Sequence, residues 1–344
     1  MKLAVVLFNL GGPDSLDAVE PFLRNLFGDP AILTLPRFLR APLARFIASR
    51  RAPFARDIYR KIGGRSPILE ETEAQARALD KVLASRGIEA RSFVAMRCWK
   101  PFSDEVAQAI KSFGADSIVL LPLYPQFSTT TTGSALSDWR RAARQAGLSA
   151  ATAAVCCHPQ AEGFTAAVTE LIHQTFTRIR PGVDYRLLLS AHGLPKRIIA
   201  RGDPYQWQVE RTAGAIVDRL GMNGLDWQVC YQSRVGPLDW IGPATDSEVR
   251  RAGADGKGVV VVPIAFVSEH SETLVELDME YAELAKASGV PDYLRVPTVG
   301  VHPLFIAALA DMVGSVQAGI ASNRGTRLCP GKYTKCACPG AGAE

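Results

Sequence analysis

No apolar stretch of this chain approaches the roughly 18–20 residues that a membrane-spanning helix requires, so the sequence predicts no helical span. The opening run "MKLAVVLFNLGGP" has one lysine and no small-residue cleavage site. It reads as a first strand closed by a Gly-Gly-Pro turn, not as an export signal. Cysteines are few and odd in number, seven in 344 residues, which argues against a disulfide framework. A cytoplasmic enzyme is the expectation. Also missing are the G-x-G-x-x-G fingerprint and the G-x-x-x-x-G-K-[ST] phosphate loop, so a dinucleotide or nucleoside-triphosphate site has no support. The G-x-S-x-G nucleophile elbow is absent too, which sets serine-hydrolase chemistry aside. Charge of neither sign dominates. A net charge of +5 with 21% charged residues neither requires nor excludes nucleic acid.

What is present is alternation. Runs rich in Val, Ile and Leu at Leu3–Asn9, Ser92–Cys98, Ser117–Leu123, Ala151–Cys157, Tyr185–Ser190, Trp227–Gln232, Gly258–Phe266 and Tyr293–Val296 read as strands. Between them apolar residues recur at helical spacing, as in Glu71–Ser85, Asp104–Phe113, Gly163–Arg178 and Pro204–Leu220. Strands this apolar must be covered on both faces, which predicts parallel sheets flanked by helices. The order also repeats: "RCWKPFSDEVAQAI…SIVLLPLYPQFSTTTTGSAL" parallels "QSRVGPLDWIGPATDSEVRRA…GVVVVPIAFVSEHSETL". The fold class expected is therefore α/β, with two Rossmann-like halves facing each other across a cleft. The first half is expected over 1–128, completed by a helix around 303–320, and the second over 129–300. A cysteine-rich tail, 321–344, follows.

In open α/β sheets, ligands bind beyond the carboxyl ends of the strands, and here those ends are polar. "SAHGLP" puts His192 just past a strand, beside Gly193 and Pro195; "QSRVGPLDW" offers Gln232, Ser233, Arg234 and Trp240. "YPQFSTTTTGS" supplies Tyr124, Gln126 and hydroxyls, and "FVSEHSETL" supplies His270 and Glu272. Glu272, Glu276 and Glu280 recur every fourth residue, forming one drifting stripe on a helix. Such a carboxylate row suits a hard or borderline divalent cation. At the other end of the chain, "CPGKYTKCACPG" spaces Cys329, Cys336 and Cys338 as C-x6-C-x-C, a soft-donor pattern for a metal.

Taken in order, "FNLGGP", "YRKIGGRSPI", "YPQFSTTTTGS", "SAHGLPKRIIARGDPY", "QSRVGPLDWIGPATDSEV" and "VPIAFVSEHSETLVELDMEY" resemble ferrochelatase from Phe8 to about Asp311. The resemblance implies a reaction: Fe²⁺ and protoporphyrin IX give protohaem and two protons, the last step of haem biosynthesis. A chelatase for another metal or for coproporphyrin is the neighbouring alternative. A tetrapyrrole carrier or sensor is the alternative from another class. His192 and Glu272 then face each other across the porphyrin. His192 either takes pyrrole protons, binds iron, or does both in sequence. Glu276 and Glu280 continue as the metal or proton route, and His270 is expected in support.

By the same resemblance Leu10, Tyr59, Ser66, Arg97 and Trp240 bind the macrocycle, Arg97 through a propionate. The basic, apolar segment 35–56, "LPRFLRAPLARFIASRRAPFAR", becomes a lip resting on the membrane. Peripheral association at the inner face of the membrane, no nucleic-acid partner and a cytoplasmic location follow. Some members of this family carry a [2Fe–2S] cluster. Here its ligands are expected to be Cys329, Cys336, Cys338 and one of Cys156 and Cys157, since alternation in a strand sends neighbouring side chains to opposite faces. Zinc is the rival metal.

Overall fold

The computed structural model of the chain describes all residues except Met1, Val235, Gln317, Ala318, Arg324 and 340–344. Its apolar, β-branched runs form β1 (Leu3–Asn9), β2 (Ala90–Met96), β3 (Ser117–Pro122), β4 (Ala151–Val155), β5 (Tyr185–His192), β6 (Asp226–Gln232), β7 (Gly258–Pro263), β8 (Tyr293–Arg295) and β9 (Gly319–Ala321). These make two sheets, ordered β2-β1-β3-β4-β9 and β6-β5-β7-β8, with every recorded strand pair parallel. Both are wound alike. The first strand is internal, the second lies on one side of it and the third on the other. The winding therefore reverses beside β1 in one sheet and beside β5 in the other, and the sequence repeat has its structural counterpart there. Such reversals are where open α/β sheets bind ligands.

The chain divides into two units, chiefly Met1–Cys157 with Leu309–Leu328, and His158–Ala308 with Cys329–Cys336. The boundary falls after Cys157, not at the expected 128/129. The helix Thr132–Ala146 lays Ala135, Leu136, Trp139, Ala142 and Ala146 onto the first sheet's core, and β4 pairs with β3. Trp139 meets Phe8 edge to face at 5.9 Å, a geometry that adds about 1 kcal/mol to what burial contributes. The expected tail is not a separate piece either: β9 extends the first sheet beside β4, while Cys329–Cys336 packs with the second unit. Arg324 and 340–344, also in that tail, lie outside the described residues.

The second unit has its own core, in which Leu188, Cys230, Val259 and Val261 of the sheet pack with Val249, Leu277 and Ala285. In the first unit the helix Arg37–Arg60 runs unbroken through Pro42 and Pro53 and is longer than the expected 35–56 segment. It buries only Ala44, Ala48, Ala52 and Tyr59, and leaves Phe38, Phe46 and Phe54 exposed. No helix among the described residues is long and apolar enough to cross a membrane.

Candidate functional site

β5 ends on His192, and its register sets His192 opposite Gln232, the last residue of β6. Ser233 therefore stands one residue beyond the sheet. The turn after His192 is fixed by Gly193. A Cβ there would lie 2.8 Å from the Gln232 carbonyl oxygen and 3.4 Å from the Trp240 ring, so only glycine allows this approach. The Gly193 N–H donates to that carbonyl at 2.8 Å, and the Tyr205 hydroxyl donates to the His192 carbonyl at 3.0 Å.

Beyond β7, the segment Glu272–Glu280 is a π-helix, not the α-helix that the four-residue glutamate spacing implied. The Tyr281 N–H reaches back five residues to the Glu276 carbonyl. π-Turns are rare, usually single-turn, and frequent at functional sites.

These elements converge on two carboxylates. His192 Nδ1 lies 2.8 Å from Glu272 Oε2. The Ser233 hydroxyl lies 2.9 Å from the same oxygen and 2.5 Å from Glu276 Oε2. Glu276 Oε1 accepts the Ser233 backbone N–H at 2.7 Å and the Tyr281 hydroxyl at 2.9 Å. Gln232 Nε2 donates to Glu276 Oε2 and to the Glu272 carbonyl, at 3.2 and 3.0 Å. Among the described residues no hydrogen bond reaches His192 Nε2 or Glu272 Oε1. The pair keeps 37% and 26% of its side-chain surface exposed.

Burial opposes charge on both partners, but each outweighs it for the other. Burial alone would lower His192; the Glu272 charge and hydrogen bond turn that into a raised pKa. Burial alone would raise Glu272, but His192, then His270 and Ser233, hold it at about 2. Burial, and after it the Glu272 charge, pushes Glu276 up. Burial also pushes His270 down. The site thus sets a carboxylate against an imidazole whose protonation it favours, beside a carboxyl that protonates more readily than usual and an imidazole that protonates less readily.

The structure brings His192, Glu272 and Glu276 together, with Glu280 exposed at the far end of the π-helix. His270 makes its own contacts beside the pair: its Nδ1 is 3.1 Å from the Ser268 carbonyl and its ring lies against Phe266, while its charge helps to lower the pKa of Glu272. Trp240 backs the His192 turn through a bridge with Pro195, and its buried indole N–H has no partner among the described residues. In the first unit Leu10 and Tyr59 share an apolar cluster at the β1 end. Ser66 is buried there against Gly12, where a Cβ would lie 2.5 Å from that of Ser66.

Arg97 is already engaged. Its Nη2 lies 3.0 Å from Asp29, which is almost fully buried, and its Nε donates to Ser134 at 2.6 Å. Tyr281 joins the site without having been singled out, while Gln232 and Ser233, noted as polar residues at a strand end, become donors to its carboxylates. The strand-end "QS" was the visible signal, but not the carboxylates that it holds.

Among the cysteines, Cys98 and Cys230 are buried with thiols pushed up to about 12 by burial, and behave as small apolar residues. β4 stops at Val155, so Cys156 and Cys157 follow the strand instead of ending it, and alternation does not separate them. Their sulfurs lie 3.4 Å apart. The Cys329 sulfur is 3.0 Å from Gln208 Nε2. Among the described residues no group of three or more His, Cys, Asp or Glu side chains is arranged to hold a metal ion.

The ferrochelatase family model matches residues 2–316. Ferrochelatase of Phenylobacterium zucineum is 55% identical over 99% of both chains. That of Caulobacter vibrioides is 52% identical over 98% of this chain and 97% of its own. Pelagibacter ubique ferrochelatase is 46% identical over 98% and 99%. Among solved structures, SirB from Bacillus subtilis with Fe³⁺ superposes with a TM-score of 0.50 at 16% identity, covering 91% of this chain and 95% of SirB. At that identity the likeness is one of fold. Two wound parallel sheets, a histidine–carboxylate couple at a strand-order reversal and near-full-length similarity lead to one assignment: the chain belongs to the ferrochelatase family.

Proposed function

We propose that the β5, β6 and β7 ends of the second unit carry the ferrochelatase reaction, in which Fe²⁺ enters protoporphyrin IX and two protons leave. The observation that carries this reading is the 2.8 Å contact between His192 Nδ1 and Glu272 Oε2. Nδ1–H donating to the carboxylate leaves the Nε2 lone pair for a pyrrole N–H. The imidazolium that forms is stabilised by the carboxylate that oriented it, which raises the pKa of His192 and strengthens it as a base. Glu272 keeps Oε1 for the entering iron, an oxygen donor suited to Fe²⁺. Glu276, the more readily protonated carboxyl, then receives the departing charge, and Glu280 leads outward. Leu10, Tyr59, Ser66 and Trp240 bind the macrocycle. Arg97 offers a propionate its Nη1, since Asp29 and Ser134 engage Nη2 and Nε.

Two finer readings go with this one. Cys329, Cys336, Cys338 and one of Cys156 and Cys157 would hold a [2Fe–2S] cluster. The support is donor chemistry: soft thiols, most of them buried, with an amide N–H aimed at the Cys329 sulfur. When bound, such a cluster supplies one-electron redox chemistry; no step above uses it. The helix Arg37–Arg60 would rest on an anionic membrane through its exposed phenylalanines and its arginines.

Anaerobically purified protein should show charge-transfer absorption and convert Fe²⁺ and protoporphyrin IX to haem. His192→Ala and Glu272→Ala should each lower kcat by about a hundredfold or more while leaving the circular dichroism unchanged. Full turnover in both variants would sink the assignment of this couple, and porphyrin binding without turnover in the unaltered protein would make it a carrier.

A further inference from the structure

A nine-residue π-helix is an unusual element, because its hydrogen bonds are less favourable than those of the α-form and it rarely exceeds one turn. Something outside it must hold its width. In this protein the neighbouring strand does so. Arg295, the last residue of β8, has a side chain only 12% exposed. Its Nε and Nη2 grip both oxygens of Asp278, at 2.6 and 2.7 Å. Its Nη1 reaches both oxygens of Glu269, at 2.8 and 3.0 Å. The Thr298 backbone N–H adds a bond to Glu269 at 2.9 Å, and the Tyr293 hydroxyl donates to the Leu277 carbonyl at 2.8 Å. Glu269 precedes the π-helix by three residues and Asp278 lies two after Glu276. One planar guanidinium thus fixes both flanks of the segment that presents Glu272 and Glu276.

We propose that Arg295 is a positioning residue for iron insertion, a two-armed clamp that keeps the Glu272–Glu280 turn wide and so holds Glu272 and Glu276 on Ser233 and His192. The inference rests on reading those two glutamates as the iron-handling groups. A two-nitrogen fork on Asp278 with the third nitrogen on Glu269 is a geometry that lysine does not reproduce. Without the clamp the segment relaxes toward tighter α-turns, and the two carboxylates rotate away from their donors. A displacement of about 1 Å at reacting groups costs up to about a hundredfold in rate.

Steady-state kinetics on the full-length enzyme test this with Arg295→Met, Arg295→Lys and Asp278→Ala. Asp278 is 35% exposed, so its removal cuts one arm with little disturbance of the core and covers the case in which Arg295→Met fails to fold. The expected result is a KM for Fe²⁺ raised about tenfold or more with a lowered kcat, the KM for porphyrin staying within about twofold, and Arg295→Lys falling between. Mere loss of folded enzyme lowers kcat and moves neither KM. An unchanged iron KM in Asp278→Ala, or in a folded Arg295→Met, overturns the clamp and leaves the functional reading standing. Should Glu272→Ala and Glu276→Ala both insert iron normally, that reading fails first and the clamp fails with it.

Discussion

Ser233 holds φ at +60°, a conformation that costs an L-residue about 1–2 kcal/mol, while its N–H and hydroxyl both reach Glu276. Strain of this kind persists where the surroundings over-determine it, and it clusters at functional sites. Two substitutions separate the strain from the chemistry. Ser233→Ala removes the hydroxyl and keeps the strain; Ser233→Gly removes both. Urea denaturation should find the glycine variant more stable than the alanine variant by about 1 kcal/mol. Both should lose turnover, because both release Glu272 and Glu276 from their shared donor. Equal stabilities would show that the positive φ is not strained in this setting.

At the scale of elements, the helix Arg37–Arg60 departs most from an ordinary surface helix. Its buried face is three alanines and a tyrosine, so little apolar area anchors it. Its outward face keeps Phe38 at 75%, Phe46 at 58% and Phe54 at 63% exposed. Arg50 sits 5.5 Å from the Phe46 ring centre, keeping a cation beside the apolar surface. Flotation with vesicles containing anionic lipid should recover the unaltered protein at low salt and release it as salt rises. Phe46→Ser with Phe54→Ser should weaken flotation about tenfold or more, with haem formation from detergent-solubilised porphyrin retained. Equal flotation of the double variant would remove this helix from membrane binding.

At the scale of the whole molecule, each unit carries an acid-sensitive tie. In the second, Arg186 is buried and pairs with Asp226 and Asp255 at the start of the sheet, with Lys257 joining Asp226. The Arg186 hydrogen bond holds Asp226 below the usual carboxylate range. In the first, Arg141 does the same for Asp104. A carboxyl whose folded pKa is depressed contributes stability that is fully present above its unfolded value, about 3.9. That contribution fades as pH falls through the folded pKa. Denaturation midpoints should therefore drop on going from pH 6 to below about 4. In Asp226→Asn, part of that drop should be missing, because the group no longer titrates. An identical drop in the variant would show that Asp226 gains nothing from the pair.

The amino-acid sequence by itself determined the parallel strands, the twofold repeat and the two ends that bear His192 and Glu272. These are written in local signals: continuous β-branched runs, turn glycines and motif order. The β4 end, two residues earlier than expected, the short β9 and the unit boundary after Cys157 were not legible, because what a segment pairs with does not show in its own pattern. The same holds at the site. Four-residue spacing announced a row of glutamates, but the widening into a π-helix is fixed by contacts with β8, from residues 16 to 26 positions away. Arg97 read as a cation awaiting a ligand until Asp29, far upstream and almost fully buried, was found holding it. Ser233 became a donor to two carboxylates only through the register that sets Gln232 beside His192. Periodicity records which face of an element is apolar. Hydrogen-bond partners 39 or 80 residues apart are chosen by the sheet, and so only the tertiary structure could decide them.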